Sequence, residues 1–259
     1  MATLHEVTTP APDGTLTIEE GWRQGRGAYG GLTIAAAIRA IEQRVADPRR
    51  KVRTVTAEIP GPTLAGTAKL TVDILRSGNS LTVARAALAQ GNEVTTHAVA
   101  VLAASRDIPD PPTWCELVRP ESPPWQSLAP LSTSGPFPEF VQHFEYRLVT
   151  GVPYSGGAAQ TIGWVRARDP GTPRDAAFLA AIVDAWWPAT LARAKGPRPL
   201  ATIGFTLELV GEPSAGDAPL LYRGTVPVAR DGYFLETREL WTEDGRLLAL
   251  NHQTFAVIR

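Results

Sequence analysis

Sulfur is almost absent from this sequence of 259 residues, which has one cysteine, Cys115, and one methionine. A lone cysteine excludes an intramolecular disulfide, and its Pro-rich surroundings mark it as incidental rather than nucleophilic. Histidine is scarce too. His5, His97, His143 and His252 have no spacing that suggests a metal site, so no metal is expected. No apolar run approaches the roughly 20 residues that span a bilayer. The opening MATLHEVTTPAPDG lacks the basic and apolar regions of a signal peptide, so a cytoplasmic location and no membrane partner are expected. A net charge of −1 excludes a broadly basic surface for nucleic acid. Arginine greatly outnumbers lysine, which suits phosphate groups. No G-x-S-x-G elbow appears, which argues against an α/β-hydrolase. The run GRGAYGGLT lacks the Lys-Ser/Thr of a P-loop and the preceding strand of a dinucleotide fingerprint, and no cofactor is expected.

What the sequence does contain is a repeat. Residues 75–102 read LRSGNSLTVARAALAQGNEVTTHAVAVL, and residues 229–258 read ARDGYFLETRELWTEDGRLLALNHQTFAVI. Arg76 and Arg230, Gly78 and Gly232, Leu81 and Leu235, and Gly91 and Gly245 all keep one offset of 154. Each copy reads as a strand, a tight turn at Gln90-Gly91 or Asp244-Gly245, and a second strand. At that offset Gln253 stands where the first copy has Val99. A duplicated scaffold with polar residues in one copy only implies one site per chain.

Between the copies, IPDPPTWCELVRPESPPWQSLAPLSTSGPFP (108–138) is too rich in Pro for helix or central strand. It reads as a linker between a first domain, 1–107, and a second, 139–259, with Trp114 and Trp125 pinning it to a surface. In the first half, short strand signals around TLTIEEGW precede a helix over 31–45. Strands follow near 52–59, 68–75, 80–89 and 93–103. In the second half, strands at 140–149 and 161–167 precede a helix from Pro173 to Ala194, capped by Thr172. Strands follow near 200–210, 220–227, 233–241 and 247–258. Leu32, Ile34, Ala35, Ala36, Ala37, Ile38 and Ile41 leave the first helix little polar face, as in a buried helix. Each half is therefore an α+β unit, an antiparallel sheet curled around one long helix. Two such units gain by pairing their free edges into one sheet.

Three side chains in the second half invite chemistry. Asp184 lies between Ile182-Val183 and Trp186-Trp187 in the most apolar helix, where a carboxylate needs partners or a raised pKa. Its counterpart in the first helix is Ala40. Gln253 alternates onto one face of its strand with Phe255 and Val257, expected to be the inner one, with His252 pointing the other way. Thr202 opens the strand after the helix. Each also admits a structural role: a wet helix stripe for Asp184, a backbone partner for Gln253, strand propensity for Thr202.

At these residues a resemblance emerges. Both halves resemble hotdog domains, and the whole is similar to the double-hotdog acyl-CoA thioesterases of the thioesterase II type. YGGLTIAAAIRAI resembles the start of their first central helix. VDAWWPATL, LATIGFTLEL and GRLLALNHQTF resemble, in order, the segments that carry their Asp, Thr and Gln. The resemblance spans nearly the whole chain outside the linker. It implies hydrolysis of an acyl-CoA or related acyl thioester by a water that Asp184, Thr202 and Gln253 hold and activate. Gly30 and Gly31, at the helix start, become candidates for binding the substrate oxyanion, with tight helix packing as their other reading. A homo-oligomer, dimer or larger, is expected. The sequence departs from the family where Leu32-Thr33, not Gln, follows the glycine pair, and in a short interval from Asp184 to Thr202. Two other readings remain open. Hotdog enoyl-thioester hydratases resemble one another in an Asp and His a few residues apart, a pair not found here. A non-catalytic acyl-CoA-binding protein is the other.

Overall fold

A helix that is apolar nearly all round has to be enclosed, and the first long helix is enclosed by sheet on one side and by a second helix on the other. The computed structural model describes residues 2–106, 108–135, 137–213 and 217–258. The expected domain boundary at 107 and residue 136 of the linker lie outside them. In chain order the elements are α1 (Leu4–Val7), β1 (Thr15–Ile18), β2 (Arg23–Gln24), β3 (Gly27–Ala28), α2 (Gly30–Val45), β4 (Lys51–Glu58), β5 (Gly66–Ser77), β6 (Leu81–Gln90) and β7 (Glu93–Ala103). Then come β8 (Phe144–Thr150), β9 (Gln160–Ala167), α3 (Ala176–Asp184), α4 (Thr190–Arg193), β10 (Leu200–Leu209), β11 (Leu220–Arg230), β12 (Tyr233–Trp241) and β13 (Leu247–Val257).

Eleven strands form one antiparallel sheet in the order β1-β5-β6-β7-β4-β10-β13-β12-β11-β9-β8. The order is nearly a mirror image about the β4–β10 junction, where Thr56 faces Thr206 and Glu58 faces Gly204. One half of the sheet curls around α2, the other around α3, and the two helices pack against each other between them. The α+β architecture expected from the sequence, two wrapped helices sharing a continuous sheet, is the one the chain adopts. Among the described residues no helix is long and apolar enough to cross a membrane.

Three local expectations change. The helix anticipated from Pro173 to Ala194 is only α3, with α4 as a separate turn beyond it. Pro188 explains the break: it has no N–H, and its ring would strike the carbonyl of Asp184, four residues back and the last residue of α3. The cap is Asp175 rather than Thr172, and its side chain accepts from the Phe178 N–H at 3.0 Å. The strand anticipated at 140 starts at Phe144, because Glu139–His143 forms a short 3-10 turn.

The linker is held by one of its tryptophans, not both. Trp125 is 5% exposed, lies under the Arg147 guanidinium at 4.1 Å and packs with Trp164 and Trp241. Trp114, at 74% exposure, pins nothing. The same segment donates the Leu131 N–H to the Tyr146 carbonyl at 2.7 Å, on β8 at the end of the sheet.

Candidate active site

Asp184 ends α3, and the antiparallel packing of the helices brings it to the beginning of α2. Tyr29, the residue preceding α2, offers no side-chain cap. Asp184 supplies the acceptor from the other half of the chain: the Gly31 N–H donates to Oδ2 at 2.7 Å. The positive end of the α2 dipole therefore faces a carboxylate. Gln253 Nε2 donates to Oδ1 at 2.9 Å, and Arg238 Nη1 reaches the same oxygen at 3.3 Å. With the residue 7% exposed, burial raises the Asp184 carboxyl above its ordinary value. Arg238, Gln253 and the Gly31 N–H pull it back, while Glu236 adds to the rise.

Gln253 lies on the inner face of β13 together with Asn251 and Phe255, as the alternation implies, and His252 is exposed on the other. Its orientation is determined by its neighbours. Nε2 has two acceptors, Asp184 Oδ1 and Asn251 Oδ1, both at 2.9 Å. Oε1 therefore faces the Thr202 hydroxyl, which donates to it at 3.2 Å. Asn251 is held in turn by donating to the Thr206 carbonyl at 2.7 Å.

Thr202 reaches this cluster because β10 is irregular. Simple alternation would put Thr202 on the outer face with Gly204 and Thr206. A register shift between Thr202 and Gly204 leaves Ile203 as a bulge, and Thr202 falls opposite Phe255 on the inner side. A one-residue slip reverses the face of every residue before it, and bulges re-aim side chains in this way. The structure thus brings Asp184, Thr202 and Gln253 into one hydrogen-bonded chain.

The two glycines sit against the same carboxylate. A Cβ on Gly30 would lie 3.0 Å from Asp184 Oδ2 and 2.8 Å from Ile59 Cδ1. A side chain there would press on both, so only glycine lets the start of α2 lie this close to the carboxylate. The Gly31 N–H points at the carboxylate, so it is not directed toward a substrate oxygen.

At the opposite end of the helix pair the chemistry differs. Ala40, the counterpart of Asp184, is buried and apolar. Arg39 pairs with Asp175 at 2.6 Å and donates through Nε to Thr8 at 3.0 Å, so the N-terminal segment closes this end. Nearby, burial and the Asp175 charge push the half-buried Glu42 up to about 7, against the pull of Arg39 and Lys51. A carboxyl raised in the folded state contributes stability below about pH 4.5, and that contribution is lost as pH rises through about 7. Glu42→Gln should therefore raise the stability at pH 8 by on the order of 1–2 kcal/mol and leave it unchanged near pH 4. Thermal unfolding at the two pH values checks this.

Two family models match the chain. A family model described as the acyl-CoA thioesterase C-terminal domain matches residues 112–257, and its N-terminal companion matches 18–103. The chain belongs to the acyl-CoA thioesterase family. Among solved structures, a hot dog fold protein of unknown function from Alicyclobacillus acidocaldarius superposes with a TM-score of 0.89 at 25% identity, covering 100% of this chain and 99% of its own. A putative thioesterase II from Thermobifida fusca YX gives 0.84 at 21%, covering 100% and 98%. A putative thioesterase from Novosphingobium aromaticivorans gives 0.77 at 24%, covering 97% and 98%. No curated protein matches the chain.

Within this acyl-CoA thioesterase scaffold, sequence reasoning missed Glu236, Arg238 and Asn251, all buried around the Asp184–Gln253 pair. The signal was present. At the offset of 154, Arg238 replaces Ala84, the same apolar-to-polar contrast that singled out Gln253.

Proposed function

We propose that this chain is a cytoplasmic, cofactor-free hydrolase of an acyl-CoA or related acyl thioester, with Asp184, Thr202 and Gln253 as its catalytic residues. The observation that carries the reading is the buried Asp184 carboxylate, held by Gln253 on one oxygen and by the Gly31 N–H on the other, with Thr202 joined to it through Gln253. A carboxyl raised above its ordinary value is a better base near neutral pH. In the proposed step a water gives its proton to Asp184 and attacks the thioester carbonyl. The Thr202 hydroxyl and the Gln253 amide orient that water and the carboxylate. The carbonyl oxygen becomes an oxyanion. Gly30 is its candidate donor, because the first N–H groups of a helix have no partner within the helix. Collapse of the intermediate breaks the C–S bond, and the thiolate takes the proton from Asp184.

The division into a first domain (1–107), a linker (108–138) and a second domain (139–259) belongs to the same reading. So does assembly into a homo-oligomer, a dimer or larger: β1 ends the sheet with one side of its backbone outside the ladder.

Free-thiol release from acyl-CoAs of increasing chain length tests the reading. Hydrolysis of at least one is expected, and silence across the panel by a folded protein would contradict it. For an active substrate, Thr202→Val should lower kcat about tenfold with KM little changed, the size of one orienting hydrogen bond. Steady-state kinetics of the variant checks that.

A further inference from the structure

Arg238 is 1% exposed, and its guanidinium faces two carboxylates. Nε donates to Glu236 Oε1 at 2.8 Å, whereas Nη1 reaches Asp184 Oδ1 only at 3.3 Å and the Val183 carbonyl at 3.0 Å. The shorter contact goes to Glu236. Glu236 is itself anchored: Oε1 accepts from the Tyr222 hydroxyl at 3.0 Å and Oε2 from the Ala189 N–H at 2.9 Å. The guanidinium also lies over the rings of Phe255 and Tyr222, at 5.3 and 5.8 Å. Arg238 has little freedom to turn fully onto Asp184.

The molecule contains its own control for what the fold requires. In the first half, the strand registers place Ala84 and Ala86 of β6 where β12 presents Glu236 and Arg238, and both alanines are buried. β6 packs on α2 with no buried charge at these positions. Wrapping a sheet around its helix therefore does not demand an Arg–Glu pair here. Buried ion pairs are also poor sources of stability compared with apolar packing. The half that has the pair is the half that has Asp184.

We propose that Glu236 and Arg238 are a positioning pair for Asp184: Arg238 keeps the carboxylate ionisable in the core, and Glu236 restrains Arg238 so that the carboxylate is not neutralised by a full salt bridge. The proposal rests on the reading of Asp184 as the base. Alone, a buried carboxylate would stay protonated; clamped by an unrestrained arginine, it would be a weak base. The other groups that face Asp184 are the Gly31 N–H from α2, Gln253 from β13, and the Tyr29, Tyr146 and Tyr222 hydroxyls. Burial pushes all three tyrosines well above their ordinary value, so they stay neutral through the working range.

The pair predicts opposite effects from its two members. Removing the cation in Arg238→Met should raise the pH at which Asp184 ionises by about 1–3 units, the effect of losing an opposite charge at this range. Arg238→Lys, which keeps the charge, should restore most of that shift. Glu236→Gln keeps the shape and frees Arg238 for Asp184, so ionisation should move to lower pH. A structural role alone would lower stability in every variant without moving the ionisation in opposite directions. The measurement is the 13C chemical shift of the Asp184 carboxyl against pH in aspartate-labelled protein, assigned by its loss in Asp184→Asn. The acid limb of kcat/KM is recorded alongside. Opposite displacements of the carboxyl titration support the proposal. The same titration in wild type, Glu236→Gln and whichever Arg238 variant folds would overturn it. Displaced titrations in a protein that hydrolyses no thioester would instead overturn the hydrolase reading, so the two failures can be told apart.

Discussion

Asp184→Asn should lower kcat by at least ~10²-fold while the protein stays folded, because the amide keeps the shape but cannot accept the water's proton. Its effect on stability is more particular. The carboxylate accepts from three donors, the Gly31 N–H, Gln253 Nε2 and Arg238 Nη1. An Asn must turn its NH2 toward one side and leave a donor there unsatisfied, at about 1–3 kcal/mol. Against this, the variant no longer holds a charge in the core. Burial raises the Asp184 carboxyl in the folded state, so wild type gains stability as pH falls and loses it as pH rises through the folded value. The variant lacks that loss. Its melting temperature relative to wild type should therefore be most favourable at alkaline pH and least favourable in acid. Kinetics on an acyl-CoA that wild type hydrolyses, with melting curves at both ends of the pH range, checks both parts. Equal rates would remove Asp184 from the chemistry.

Gly31→Ala should lower both stability and activity. Its Cβ would lie 2.5 Å from Tyr29 Cε2, 2.9 Å from Tyr29 Cζ and 3.0 Å from Asp184 Cβ. Tyr29 has nowhere to go: it is fully buried, stacked on Phe140 at 4.4 Å, and its hydroxyl donates to the Ala181 carbonyl at 3.1 Å. Relief has to come from separating α2 from α3. Overpacking of this kind costs about 1–3 kcal/mol, and the rigid surroundings favour the upper end. For a chain of this size that lowers the melting temperature by roughly 4–10 °C. Because Asp184 is one of the atoms displaced, activity should fall as well. Gly61→Ala, where nothing lies within 4 Å of the added Cβ, is the control and should melt like wild type.

How far the sequence could be read depended on the range of the interaction. The periodicity of α2, the paired hairpins and the inward face of Gln253 follow from local patterns, and all were legible. Thr202 could be named but not oriented, because its face depends on a bulge at Ile203 that alternation cannot foresee. The early end of α3 was legible in principle. Pro188 sits four residues beyond Asp184, but the apolar run continuing through Trp186 and Trp187 suggested a longer helix. Gly31 illustrates the opposite limit. Its N–H is directed at a residue 153 positions away, and only the packing of the two helices reveals that. Arg238 was within reach of the repeat comparison, since it replaces Ala84 at the offset that exposed Gln253, whereas Glu236 stands against the already polar Thr82.

The most direct test of the central claim is a single turnover of an acyl-CoA in water enriched in 18O. If Asp184 acts through a water, the carboxylic acid from the first turnover carries one 18O and the Asp184 carboxyl stays unlabelled. An unlabelled acid, with 18O appearing in the Asp184 side chain, would show that the carboxylate itself attacks the thioester and would contradict the account.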